Sequence, residues 1–461
     1  MKESLFHYLE KSHQPSLRFT DAESASGKSW EEMIIPLPVA PESPKNLIFL
    51  YLDNSRTSVQ FFLSALKTPH CLCLLNAGLA STLKTNLEEI YKPEYILDKA
   101  REQEPGKMLL SESGLSFWET GNKSSPLHPS LKILLTTSGT TGSQKLVKLS
   151  DANFIANTRS ILDFLPVAHT DSCILNLPIH YSYGLSVLLT NIAKGGNIVC
   201  TNETVLMRSF WDLFRARACN SLNGVPYTYE MILRAGFEKM EGLNMKYLTQ
   251  AGGKLGEKAL QAMTSWSLRN KTPFYVMYGQ TEATARMSFL PPELLAEKPG
   301  SIGKPISGGA FEIEEDSREL VYTGPNVGAG YSESREDLRE FLPQSRLHTG
   351  DQARRDEENY FYITGRLKRF IKLFGNRINL DDLEQELRGK FECMVGCSGY
   401  EDKHLLVFSD QSTLLGKEVQ DYIFGKFQVH PSVVKYLHLD SIPLTASHKI
   451  NYRLINETYG R

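Results

Sequence analysis

Short apolar runs alternate with amphipathic helical stretches along most of this chain, and that alternation leaves few folds open to it. Residues 46–52, 71–75 and 94–97 are apolar and β-prone. Between them, residues 55–66 place Val59, Phe62, Leu63 and Leu66 at helical spacing, and residues 83–91 repeat the pattern. Further on, helices are predicted over 153–165, 185–192 and 207–218, with strands over 172–177, 197–200, 221–225, 247–250 and 273–277. Apolar strands separated by helices predict an α/β fold with parallel sheets and crossover helices, because parallel neighbours need long connections. Residues 111–130, rich in Ser, Gly and Pro, are expected to be an exposed loop. The texture changes over 308–327, where Phe311-Glu312-Ile313-Glu314 and Leu320-Val321-Tyr322 alternate as antiparallel strands do. A small antiparallel subdomain is expected there. After the basic run 365–369, residues 367–461 carry their own strand and helix pattern, enough for a small α+β domain.

With 461 residues, 41% hydrophobic and 23% charged, the chain has material for a sizeable core. Its net charge of −2 gives no field for nucleic acid. No apolar run is long enough to span a membrane, and the start, Met-Lys-Glu-Ser-Leu-Phe-His, lacks the apolar core of a signal peptide. Seven cysteines without disulfide or zinc-site spacing are expected to be reduced thiols of a cytoplasmic protein.

Residues 137–145 read Thr-Ser-Gly-Thr-Thr-Gly-Ser-Gln-Lys and follow the apolar run Ile133-Leu134-Leu135. Gly139 and Gly142 allow close backbone approach to a ligand. Ser138, Thr140 and Thr141 offer hydroxyls, and Lys145 a positive charge. Such a loop suits a polyphosphate, although the Walker spacing is absent. Tyr278-Gly279-Gln280-Thr281-Glu282 follows a predicted strand, where ligands of parallel sheets bind. Thr349-Gly350-Asp351, then Tyr362-Ile363-Thr364-Gly365-Arg366, and finally Pro443 to Lys449 complete the series.

Taken in this order, these segments resemble the adenylate-forming superfamily of acyl- and aryl-CoA synthetases, non-ribosomal peptide adenylation domains and firefly luciferase. Thr137 to Gly142 and Lys145 resemble its phosphate loop, with Gln144 in place of the usual proline. The resemblance lays Tyr278 against adenine, with Gly279 and Gln280 beside it, puts Thr281 on the α-phosphate and gives Glu282 to Mg²⁺. It assigns Asp351 to the ribose hydroxyls, Arg366 to ribose or phosphate, and Tyr362 to the same nucleotide site. Gly252 and Gly253 resemble the glycine-rich segment that touches adenine, and Gly303-Lys304-Pro305 resembles a structural turn. Lys449 would be the adenylation lysine, although His448 replaces the family's glycine. Lys368 would be the hinge between an N-terminal core, residues 1–366, and a mobile C-terminal lid domain, residues 367–461.

The implied activity is ATP-dependent: a carboxylate is converted to an acyl-adenylate with release of pyrophosphate, then passed to a thiol. Pro178 to Ser186 resembles the acyl-pocket motif, in which amino-acid-activating members carry an aspartate. Here Ser182 stands at that place and the stretch has no acid. A buried ammonium without a partner is costly, so an aliphatic, hydroxylated or aryl acid without an α-amino group is expected. Tyr181, Ser182, Tyr183, Gly184, Gly224, Val225, Pro226 and Ala251 are the pocket candidates. Lys372 and Gly375 lie in a segment resembling the one that enters the site for thioester formation. The thiol is that of CoA or of a phosphopantetheinyl carrier protein; no carrier domain is visible, so a stand-alone enzyme is expected. An adenylate passed to an amine or another acceptor, an amino-acid-activating enzyme, or a non-catalytic relative are the remaining readings.

Overall fold

The computed structural model describes residues 3–460 apart from positions 25, 40–43, 100, 102–103, 124, 137–144, 368, 374–375, 401–402 and 446–448. Among these residues, the predicted alternation becomes two eight-stranded sheets. In the first, Phe19–Thr20, Asn197–Val199, Ser172–Ile174, Ser221–Gly224, Tyr247–Gln250 and Phe274–Tyr278 run parallel, and Ser288–Leu290 and Lys304–Pro305 close one edge antiparallel. In the second, Ile133–Thr136, Cys71–Asn76, Leu47–Leu52 and Tyr95–Lys99 form the parallel centre. Every residue of Leu47–Leu52 is buried, as expected of a strand covered on both faces.

One core joins the two sheets. Leu50 and Leu74 from one sheet and Cys173 and Ile198 from the other meet Phe62, Ile161 and Leu188 of the helices Arg56–Lys67, Asp151–Leu162 and Ser182–Lys194. Side chains fix where these helices start. The Ser55 hydroxyl accepts from Ser58 N–H at 3.2 Å, and Ser150 and Asn153 form a reciprocal capping box. All seven cysteines are buried, unpaired thiols, as expected.

One sequence expectation is corrected. The stretch 111–130 is not all loop: Lys107–Glu112 and Leu115–Glu119 form an antiparallel hairpin at the sheet edge. Its turn is Ser113-Gly114, both at positive φ (49° and 81°), which suits the tight hairpin turn of primed type. Phe117 and Trp118 are buried, so serines and glycines concealed a real strand.

The antiparallel texture after residue 308 forms a four-stranded sheet ordered Ala310–Ile313, Glu319–Thr323, Leu347–Arg355, Phe361–Arg366. Beyond it, the hairpin Phe370–Leu373/Asn376–Asn379 precedes a three-stranded sheet of Val395–Tyr400, His404–Ser409 and Val434–His438. Helices Leu380–Phe391 and Gly416–Phe427 cover it. Ile371, Leu383, Val407, Ile423 and Val434 belong to a core drawn from this C-terminal part alone.

Candidate active site

Three neighbouring parallel strands are in register at their carboxyl ends: Gly224 lies beside Gln250, and Gln250 beside Val276. The segments that follow them, 224–226, 251–253 and 278–282, therefore emerge along one edge, the place where open parallel sheets hold ligands. Gly252 sits at φ 86°, and a Cβ there would lie 3.2 Å from Val225 and 3.6 Å from Lys449 Cε. Pro226 packs against Gly253, and Ala251 is buried beside them. Lys449, from the far end of the chain, thus reaches this edge, with its Nζ 5.5 Å from the Tyr181 ring centroid. Backbone bonds on either side hold it there: Thr445 N–H donates to Lys449 O at 2.6 Å, and Leu444 bridges to Ile450.

The nucleotide candidates meet at the end of Phe274–Tyr278. Tyr278 donates its hydroxyl to Asp351 Oδ2 at 2.6 Å, and Arg366 Nε donates to Oδ1 at 3.1 Å. Asp351 faces Arg366 directly across the hairpin. Burial, with the Asp351 charge next, pushes the Tyr278 phenol well up, so it stays a donor. A carboxylate has about four lone-pair positions, so acceptor capacity remains for two further hydroxyls. Tyr362 is not brought into this group. Its hydroxyl donates to Asp356 at 3.3 Å and its ring lies under Arg354, because the strand turns that side chain away from Asp351.

After Tyr278 the chain reverses sharply. Gly279 lies so close to Ala285 that a Cβ would stand 1.8 Å from its carbonyl oxygen. Ala283 N–H donates to Gln280 O, closing the single turn Thr281–Ala283. Thr284 then adopts φ 68°, ψ −56°, with Ala285 N–H donating to Ala283 O at 2.7 Å. This is the rare γ-turn of positive φ, a strained conformation. Asn326 holds it: its amide donates to Ala283 O at 2.9 Å and Arg286 O at 3.0 Å, while Tyr322 O–H donates to its carbonyl at 2.9 Å.

The turn sets two functional candidates. Thr281 Oγ1 lies 3.2 Å from Ser182 Oγ, both buried, so the acid-pocket and α-phosphate candidates touch. Glu282 accepts from the Tyr331 hydroxyl at 2.5 Å. The Tyr331 ring lies 5.8 Å from Lys145 Nζ, and Lys145 pairs with Glu333 at 2.5 Å. Both partners of that pair are exposed, so it contributes roughly 0–1 kcal/mol and yields readily to a stronger anion. The rest of the expected phosphate loop, residues 137–144, lies outside the described residues, as do Lys368, Gly375 and the side chain of Lys372.

Behind Ser182, Tyr183 is buried and its hydroxyl lies 2.7 Å from Thr249 Oγ1, so it braces the pocket from within. Gly184 and Gly224 admit close neighbours, Pro178 O and the Tyr229 ring. Burial pushes His180 down to about 4, leaving a neutral imidazole at physiological pH. Sequence reasoning missed Tyr331, Asn326 and Arg286. Arg286 is 2% exposed, with its guanidinium 3.9 Å over the Tyr183 ring.

The α/β fold thus gathers Lys449, Thr281, Glu282 and the Asp351–Arg366 pair around the end of the strand Phe274–Tyr278. The family profile described as AMP-binding enzyme matches residues 34–332, and the chain belongs to that family. It is 24% identical over 348 residues to an oxalate–CoA ligase of Arabidopsis thaliana, covering 71% of this chain and 67% of that protein. It is 28% identical over 262 residues to a 2-succinylbenzoate–CoA ligase of Bacillus cereus, covering 55% and 53%. The alignments thus span about half to two thirds of these relatives' lengths. Among solved structures, o-succinylbenzoate CoA synthetase from Bacillus subtilis, in complex with its acyl-adenylate intermediate, superposes with a TM-score of 0.78. It is 20% identical, over 98% of this chain and 97% of that one. The expected fold class and the expected superfamily agree with these matches, as does an ATP-dependent, AMP-forming ligase class. Among the described residues no helix is long and apolar enough to cross a membrane.

Proposed function

We propose that this chain activates a carboxylic acid with ATP as an acyl-adenylate and transfers the acyl group to a thiol, that of CoA or of a phosphopantetheinyl carrier. The observation that carries this reading is the seat of Lys449, beside Tyr181 and Gly252, on the edge where Ser182 touches Thr281. A carboxylate there attacks the α-phosphorus, a C–O–P bond forms, and the bond to pyrophosphate breaks. The Lys449 ammonium can bridge the carboxylate and the phosphate and so offset the charge that builds up, while Thr281 donates to the α-phosphate. Asp351, with Arg366, receives the ribose hydroxyls. Glu282 is a suitable oxygen ligand for Mg²⁺, which would neutralise triphosphate charge when bound. Lys145 can leave Glu333 for phosphate.

Asp351→Asn is expected to raise KM for ATP by about ten- to a hundredfold, the value of hydrogen bonds to a charged group. Steady-state kinetics with varied ATP check this, and an unchanged KM counts against the ribose role.

The thiol step needs a different arrangement of the C-terminal part, residues 367–461, about Lys368. Polar side chains link it to the N-terminal core: Lys254 with Gln385 at 2.8 Å, Arg234 with Asp410 at 3.2 Å, and Lys258 with Glu392. Exposed pairs of this kind are worth roughly 0–1 kcal/mol each and exchange readily with water. Lys368→Pro is expected to spare adenylation and to stop thioester formation, read as acyl-AMP and acyl-CoA in one mass-spectrometric assay. Equal loss of both products would remove the hinge assignment. The names of the relatives support CoA as acceptor, and seven reduced cysteines support a cytoplasmic setting. Supplying CoA, a holo-carrier and an amine in parallel tests the acceptor: a thioester supports this reading, and an amide alone rejects it.

A further inference from the structure

We propose that the acid taken by this site carries a second anionic group, and that Arg286 holds it. The proposal rests on the adenylating reading of the site and specifies its substrate class.

Arg286 is among the largest fully buried side chains. Its guanidinium lies 3.9 Å over the Tyr183 ring, and its Nε points to Met277 Sδ at 3.3 Å. Among the described residues no carboxylate pairs with it, and the groups that bear on its charge are the phenols of Tyr183 and Tyr181. Arg335, a second buried arginine among the described residues, shows the usual arrangement: it forks onto Glu94 with contacts of 3.2 and 2.8 Å. A guanidinium does not shed its proton in a protein. Left alone in the interior it carries a desolvation cost that a cation–π contact offsets only in part. An incoming anion removes that cost.

The position is also informative. The Tyr181 ring lies 5.5 Å from Lys449 Nζ, and Arg286 stacks on the ring of Tyr183, two residues along the same segment. Ser182, between these tyrosines, touches Thr281. The reacting carboxylate belongs at Lys449 and Thr281, and Arg286 stacks on Tyr183, the neighbour of Ser182, so it is placed to meet the far end of the acid. The fold fixes the backbone of Arg286. Its backbone N–H donates to Asn157 Oδ1 at 3.3 Å, and its backbone carbonyl accepts from the Asn157 amide at 2.8 Å and the Asn326 amide at 3.0 Å. A planar fork of N–H donors matches a carboxylate best, and a phosphate or sulfonate next. The same charge repels an ammonium, which gives the absence of an acid near Ser182 a second physical reason.

The test is pyrophosphate exchange with straight-chain dicarboxylic acids of graded length, each paired with its monoamide. The amide keeps the shape and removes the charge. At least one diacid is expected to exceed its monoamide by about tenfold or more in kcat/KM. Arg286→Met should bring that diacid down to the level of the monoamide and leave the monoamide within about threefold, while Arg286→Lys retains part of the preference. The thermal midpoint of unliganded Arg286→Met should equal or exceed that of the wild type, because an unpaired buried charge has been removed. Monoamides preferred by the wild type, or equal losses for both acids in Arg286→Met, would overturn the proposal. So would a lower midpoint in both variants, since Arg286 would then serve stability alone. Exchange with neutral acids only rejects the anion site and leaves adenylation standing, whereas no exchange with any acid rejects both.

Discussion

Lys449→Ala is expected to lower the rate of acyl-adenylate formation by roughly 10²–10³-fold, the usual cost of removing a donor aimed at charge that develops in a transition state. The loss should fall on kcat more than on KM for ATP, because Tyr278, Asp351 and Arg366 form a separate hydrogen-bonded group. The backbone of Lys449 is bonded to Thr445, and truncation of the side chain at Cβ leaves those backbone bonds in place. The protein should therefore fold normally. Preformed acyl-adenylate should still react with the thiol, because that step no longer involves the triphosphate. Single-turnover measurements of both half-reactions check the prediction, and an undiminished first step in the variant would falsify the assignment of Lys449.

Asn326→Ala carries the largest expected effect on stability. Asn326 is buried, and its side chain makes three hydrogen bonds: two donated to carbonyls around the γ-turn and one accepted from Tyr322. Three bonds at about 1 kcal/mol each, with a stranded buried phenol, give a loss of about 3–5 kcal/mol. The turn it pins is itself unfavourable by about 1–3 kcal/mol, so it should relax when released. Glu282 and Arg286 lie on that segment, and activity should fall even where the protein remains folded. Asn326→Asp keeps the shape, loses both donors and buries a charge, so it should be at least as damaging. Urea unfolding followed by tryptophan fluorescence measures the loss. A midpoint within error of the wild type would mean that the turn is held by other contacts.

Much of the fold was legible because its strands are continuous and apolar. The strand Tyr247–Gln250 lies where the pattern puts it. The helix Arg208–Ala216 buries Phe210, Trp211 and Phe214 as the spacing requires. The helix starting at Ser182 begins before the expected 185, because its first turn has no apolar periodicity to count. The hairpin Lys107–Glu119 was hidden by serines and glycines whose turn conformation the pattern did not reveal. Of the candidate site, the local segments Tyr278 to Glu282 and Thr349 to Asp351 could be singled out from sequence, and the structure brings Tyr278 and Asp351 together. Tyr362 lies apart from Asp351 because hairpin register, rather than motif order, decides which side chains meet there. Asn326 and Arg286 were invisible because their significance is tertiary. A surface arginine and a buried one without a carboxylate look alike in a string of letters.

The most direct test is the product of ATP turnover with an acid library, Mg²⁺ and no thiol, resolved by mass spectrometry. The account predicts acyl-AMP and pyrophosphate, formed only when a carboxylic acid is present. ADP and orthophosphate, or acid-independent turnover, would contradict it.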